Sequence, residues 1–153
     1  MTSSLRAVIL DTGPLGLLTN PKVSAEGLAC RQWVRDHITA GVEVFLPEIA
    51  DYEVRRELLQ ARLLSSVARL DTLRDELDYL ALTTAVMQYA AHLWAQVRQA
   101  GQTTADCHAL DGDVILAAQA LSLGYAPGEV IIVTTNVGHL SRFITAQRWQ
   151  EIL

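Results

Sequence analysis

Five residues stand where side-chain oxygens can gather around a cation: Asp11, Glu53, Asp111, Asp113 and Asn136. Asp11 closes Ala7-Val8-Ile9-Leu10, an apolar run too short for a helix and rich enough in Val and Ile for a buried strand. Thr12-Gly13-Pro14 follows as a turn, with proline placed to open a helix. A carboxylate at the C-terminal end of a buried parallel strand lies on the edge where ligands bind in open sheets. Asp11 either caps the turn or is the first ligand of a cation, and alone it does not choose. Glu53 follows the second strand signal, and Asn136 ends the strongest one. Asp111 and Asp113 stand where a helix begins before that strand.

Carboxylates brought this close repel one another unless cations or protons compensate them. Hard oxygen donors with few histidines suit Mg²⁺ or Mn²⁺ rather than zinc. Such ions activate a water and neutralise charge at a phosphate during in-line displacement, so the set suits metal-assisted phosphodiester hydrolysis. Asp111 has a second explanation, as the N-cap of its helix. Asp106, in the polar stretch before it, is a further acid. Thr12 and Thr134 offer hydroxyls to a ligand or phosphate, while Thr135 needs only to pack. His139 either meets substrate or serves the start of a short helix. Arg55, Arg56, Arg62, Arg69 and Arg142 are either phosphate contacts or solvated charges.

The elements that must position these groups alternate strand and helix. A short helix over Leu15–Leu18 ends at Asn20-Pro21. Ser24 caps a second through about His37, with Leu28, Ala29, Trp33 and Val34 as its apolar face, and Gly41 stops it. Val42–Leu46 reads as the second strand. Pro47 opens a helix continuing over Glu48–Leu64 without a breaker, on which Asp51, Glu53, Arg55, Arg56 and Glu57 suggest a solvated, ion-paired face. Glu53 also borders the core-facing stripe of Ile49 and Tyr52. Ser65 or Ser66 caps the next helix, with Val67, Leu70, Leu73 and Leu77 as its buried edge. Tyr79–Leu82 is expected as the third strand. Thr83-Thr84 caps a helix with the stripe Val86, Ala90, Leu93, Trp94 and Val97, and Met87 and Trp94 are expected in the core. Gln102–Leu110 reads as loop, Val114–Leu123 as helix, Val130–Thr135 as a strand buried on both faces, and Trp149–Leu153 as a last short strand. The pattern is that of a parallel sheet covered on both faces.

Composition narrows the classes. At 153 residues, half of them hydrophobic, the chain is expected to fold as one globular domain. It carries no apolar run long enough to span a membrane and no secretory pattern at its start, so a cytoplasmic protein is expected. Cys30 and Cys107 lack redox or metal-ligand spacing and read as reduced thiols. A net charge of −5 argues against holding nucleic acid by bulk electrostatics, yet leaves room for acids gathered around divalent cations.

Asp11 after Val-Ile-Leu, a Glu in the Pro47 helix, Asp-Val-Ile-Leu-Ala-Ala-Gln-Ala at 113–120 and Val-Thr-Thr-Asn-Val-Gly-His-Leu at 133–140 together resemble the PIN-domain nucleases. That family includes the toxin RNases of bacterial toxin–antitoxin pairs. The resemblance covers nearly the whole chain in order, and the 113–120 and 133–140 motifs are its specific part. It implies a single domain over 1–153, a three-layer α/β/α sandwich with a central parallel sheet, and acids holding Mg²⁺ or Mn²⁺. Asp11, Glu53 and Asp113 match the family's first three acids. Asn136 falls where a fourth acid is frequent, and it can offer a carbonyl oxygen but no charge. Asp111 or Asp106 could compensate.

The resemblance further implies an RNA substrate, a small antitoxin partner and a homodimer. The helix stripes at Leu28–Val34 and Val67–Leu77 could supply an interface or simply the core. The alternative reading is a catalytically weakened PIN-like domain that binds RNA or a protein without cleavage. An aspartyl-phosphate phosphotransfer enzyme also places an Asp after its first strand, but needs a second Asp where this chain has Gly13. No Gly-x-Gly-x-x-Gly follows a strand, which argues against dinucleotide binding.

Overall fold

The run Ala7–Leu10 is fully buried at every position, because both of its faces are covered. Val8 and Leu10 point to one side of the sheet and Ala7 and Ile9 to the other, following the two-residue period of a strand. The computed structural model describes residues 4–22, 24–101 and 107–153. In chain order the elements are β1 (Ala7–Leu10), α1 (Thr12–Thr19), α2 (Ala25–Thr39), β2 (Glu43–Pro47), α3 (Glu48–Gln60), α4 (Leu64–Glu76) and β3 (Asp78–Leu80). They continue with α5 (Thr84–Gln99), α6 (Cys107–Leu121), β4 (Val130–Val133), α7 (Val137–Leu140), β5 (Ala146–Gln147) and a 3₁₀ turn at Trp149–Glu151.

The sheet order is β3-β2-β1-β4-β5, and every pairing is parallel. Helices α1, α2 and α4 cover one face around Val8, Leu10, Val44 and Leu46. The other face is covered by α6, with Leu116 and Ala120 against Ile9, Phe45 and Ile132. Helix α5 packs outside α6, its Val86, Ala90, Leu93 and Val97 meeting Leu110, Val114, Ala117 and Ala118. This is the expected α/β/α sandwich.

Several expectations need correction. The helix predicted from Glu48 to Leu64 breaks at Arg62, whose φ is 58°. Leu63 N donates to Leu58 O and Arg62 N to Leu59 O, the two bonds of a Schellman stop. An arginine in the left-handed region gives no sequence signal, because such stops usually carry glycine. Ser65 and Ser66 therefore lie inside α4, and neither caps it. The third strand is Asp78–Leu80. The last strand is Ala146–Gln147, because Ile132 and Val133 pair there, and Trp149–Glu151 turns instead of extending. Met87 and Trp94 are 43% and 36% exposed, on a line of α5 beside its buried stripe rather than within it. The stripes proposed on α2 and α4 are divided: Val34, Leu70, Leu73 and Leu77 are core, while Leu28 is exposed.

Cys30 is buried, and desolvation pushes its thiol up to about 12, so it stays protonated. Among the described residues no helix is long and apolar enough to cross a membrane.

Candidate functional site

The register of β1 on β4 builds the first part of the site. Leu10 pairs with Val133, so Asp11 and Thr134 leave the sheet side by side. Asp11 N continues the ladder to Val133 O at 2.9 Å. The Asp11 carboxylate is held at both ends: Thr12 N donates to Oδ1 at 2.7 Å and Thr134 Oγ1 donates to Oδ2 at 2.7 Å. Thr134 is buried, and its hydroxyl in turn accepts from Asn136 N at 2.8 Å. Asp11 thus caps α1 and faces the site at once, so its two sequence readings do not exclude each other.

Glu53 comes from α3, which begins directly after β2 because Pro47 ends the strand in extended backbone and serves as the helix N-cap. The start of α3 is fastened to its surroundings by two side chains. Gln119 of α6, fully buried, accepts from Ile49 N and donates to Leu80 O at 2.7 Å, and Glu48 accepts from Leu82 N. One helical turn on, the half-buried Glu53 lies against Gly112 of α6. Burial, then the negative charges of Asp11 and Asp113, push its carboxyl above the usual range, with Arg56 opposing. Arg56 Nη2 is 4.0 Å from Glu53 Oε2.

Asp113 comes from α6. Its Oδ2 is buried and accepts no hydrogen bond among the described residues, and His139 Nδ1 is 3.8 Å away. Burial first, then the charge of Asp11, raises its carboxyl from 3.8 to about 6. His139, Arg142 and the Asn136 amide pull back part of that rise. Asp11, Glu53 and Asp113, from three separate elements, therefore share one electrostatic environment at the C-terminal edge of the sheet.

The remaining candidates divide. Helix α6 begins at Cys107, not Asp111, so Asp111 is no N-cap. Two residues along a helix is about 200° of rotation, and Asp111 is exposed on the opposite side from Asp113. There it borders a cleft lined by Met87, Trp94 and Ile115. Asp106 lies outside the described residues. Asn136 stands at the start of α7, where its side chain makes no capping bond. His139 is half-exposed beside Asp113.

Thr135 packs its methyl and hydroxyl near Gly13. Arg55 is spoken for: it binds Asp51 at 2.7 Å and Asp71 at 2.8 Å, which raises its pKa further. Asp51 is 5% exposed rather than solvated, and Arg55 is what compensates it. Arg62 forms the turn after α3. Arg142 binds the His139 carbonyl through Nε and keeps Nη2 buried without a partner among the described residues.

The donor set fits a hard divalent cation in kind: three carboxylates, the unpartnered Asp113 Oδ2, and the Asn136 side chain, whose amide hydrogen-bonds Asp113 and whose oxygen is a neutral donor. Among the described residues no three of His, Cys, Asp and Glu stand close enough together to enclose an ion as placed. Each Asp11 oxygen accepts one hydrogen bond, and like-charged carboxylates repel one another unless a cation compensates them.

Two residues that pack around Glu53 and the start of α3, Gly112 and Gln119, were not singled out from the sequence. A single glutamine in the otherwise apolar run Val114–Leu121 is a signal that one buried polar group needed partners; the glycine beside Asp113 gives no such signal.

No family model and no curated protein matches the sequence. Solved structures do. VapBC2 from Rickettsia felis, bound to a DNA fragment from its promoter, superposes with a TM-score of 0.71 at 14% identity, covering 94% of this chain and 98% of that one. VapBC-1 from nontypeable Haemophilus influenzae gives 0.67 at 14% identity, covering 95% and 99%. FitAcB from Neisseria gonorrhoeae gives 0.59 at 18% identity, again covering 95% and 99%. At these identities the likeness speaks for architecture, and the chain has a PIN-like fold: five parallel strands between helical layers.

Proposed function

We propose that this chain is a Mg²⁺- or Mn²⁺-dependent endoribonuclease that hydrolyses RNA phosphodiester bonds. One observation supports the reading above the others: at the C-terminal edge of a parallel sheet, burial and the charge of Asp11 raise the cost of ionising both Glu53 and Asp113. Such an arrangement is expensive for a fold and is relieved by a cation. Asp11, Glu53 and Asp113 would hold the ion, with the Asn136 carbonyl as a neutral donor. When bound, the cation neutralises charge on the scissile phosphate and acidifies a water.

The chain's own residues do the rest. Thr134 and Thr12 N fix the Asp11 rotamer before substrate arrives. Arg142 brings positive charge to the Asp113 side, where a phosphate would otherwise meet only acids, and His139 Nδ1 stands 3.8 Å from Asp113 Oδ2. Water oxygen bonds to phosphorus as the bond to the 3′-oxygen breaks.

The neighbours named VapBC and FitAcB are complexes, which supports a small antitoxin protein as partner. Leu59, Leu63 and Leu64 at the corner between α3 and α4 are exposed apolar groups of the kind such a partner covers. A homodimer and a cytoplasmic location complete the proposal. The second reading, a weakened domain that binds RNA or a protein without cutting, is favoured by Asn136 standing where a fourth acid would add charge.

The test is cleavage of a labelled single-stranded RNA with Mg²⁺ or Mn²⁺ by wild type, Asp11→Asn and Asp113→Asn. Product from wild type, reduced at least ~100-fold in both variants, is expected. RNA retained without product at any metal concentration favours the second reading. Undiminished cleavage by both variants overturns the assignment.

A further inference from the structure

Gly112 is the sixth residue of α6 and has ordinary helical backbone; its φ is not positive, unlike those of Gly41, Gly101 and Gly124. Nothing in its conformation calls for glycine, and glycine within a helix is less favourable than alanine. What calls for glycine is the space beside it. A methyl group at 112 would sit 3.2 Å from Glu53 Oε1, 3.3 Å from Oε2 and 3.6 Å from Cδ. Both oxygens are nearly equidistant and Cδ lies behind them, so the carboxylate points its two oxygens at the position that a side chain would fill. Gly16, also helical, has nothing within 4 Å of that position.

We propose that Gly112 is a positioning residue: its missing side chain leaves a notch on α6 that seats the Glu53 carboxylate next to Asp113. The inference rests on the reading of Glu53 and Asp113 as cation ligands. The contact is with the far end of a flexible side chain, so a methyl group displaces the carboxylate by a few tenths of an ångström and leaves the backbones of α3 and α6 where they are. Fold and site are then affected in opposite directions. The helix gains a better former, and the acid loses its seat. A glycine kept only for packing behaves otherwise, because filling its space lowers stability.

The experiment is calorimetric Mn²⁺ titration and thermal melting of wild type, Gly112→Ala, Glu53→Gln and the double variant. Gly112→Ala is expected to melt about 2–4 °C higher than wild type. Its Mn²⁺ affinity is expected to fall about tenfold. In the Glu53→Gln background the same alanine is expected to change Mn²⁺ affinity no further. Equal affinity in wild type and Gly112→Ala overturns the inference, as does a full loss that persists in the Glu53→Gln background. A lowered melting temperature with unchanged affinity overturns it too and assigns the glycine to packing. A wild-type protein that binds no Mn²⁺ overturns the reading of the site itself, and this inference with it.

Discussion

Thr134 Oγ1 donates a 2.7 Å hydrogen bond to Asp11 Oδ2, joining residues 123 apart in the chain. The pairing of Leu10 with Val133 makes it possible, and the same hydroxyl accepts from Asn136 N, so one buried side chain ties the ends of β1 and β4 to the start of α7. Thr134→Val keeps the shape and removes both bonds. It is expected to cost about 1–3 kcal/mol of stability by urea denaturation, since buried polar groups lose their partners. Thr134→Ser should recover most of that loss and retain cation affinity. A valine variant as stable as wild type would show that Asp11 needs no such anchor.

Asp113 gives the site a pH signature. Its carboxyl is raised from 3.8 to about 6, so between those values the folded chain holds a proton that the unfolded chain has released. The stability this contributes is fully present below about pH 4 and is lost as pH rises through 6. The loss is on the order of 3 kcal/mol. Glu53 shifts in the same direction and adds to it. Asp113→Asn should therefore be more stable than wild type at pH 7 and should gain nothing at pH 4, as read from melting curves across that range. An advantage of Asp113→Asn that does not grow with pH would contradict the burial of a costly charge.

Asn136 invites the reverse substitution. Asn136→Asp adds a fourth acid beside Asp113, so without metal it should lower the melting temperature by several degrees. With millimolar Mn²⁺ the order should invert, because an ion bound by four acids stabilises the folded state through its higher affinity. Differential scanning fluorimetry with and without Mn²⁺ reads both halves. A variant that is destabilised equally under both conditions would place residue 136 outside the cation's reach.

Much of this arrangement was legible in the sequence, and the parts that were not have identifiable causes. Strands β1 and β4 show themselves as uninterrupted apolar runs because they are buried on both faces, and that is why Asp11 and Asn136 could be placed at their ends. The order of elements brought Glu53, Asp111 and Asp113 to the same edge, and the choice of Glu53 and Asp113 came from the PIN-domain resemblance. Three local features were hidden, and two tertiary ones. The start of α6 lies in a polar stretch that reads as loop, which made Asp111 look like a cap and hid its rotation away from Asp113. The stop after α3 uses a left-handed arginine in place of glycine. Met87 and Trp94 are apolar residues at helical spacing that sit one line off the buried stripe, a difference of rotation that composition does not encode. The Thr134–Asp11 bond depends on strand register, and the Gly112 notch depends on how closely α3 approaches α6; both are tertiary facts.

Titration calorimetry of Mn²⁺ into wild type and Asp113→Asn decides whether the acids at the sheet edge form a cation site. Heat of binding in wild type that disappears in a folded Asp113→Asn variant is the predicted result. Absence of binding in both, with intact melting transitions, or equal binding in both, would contradict it.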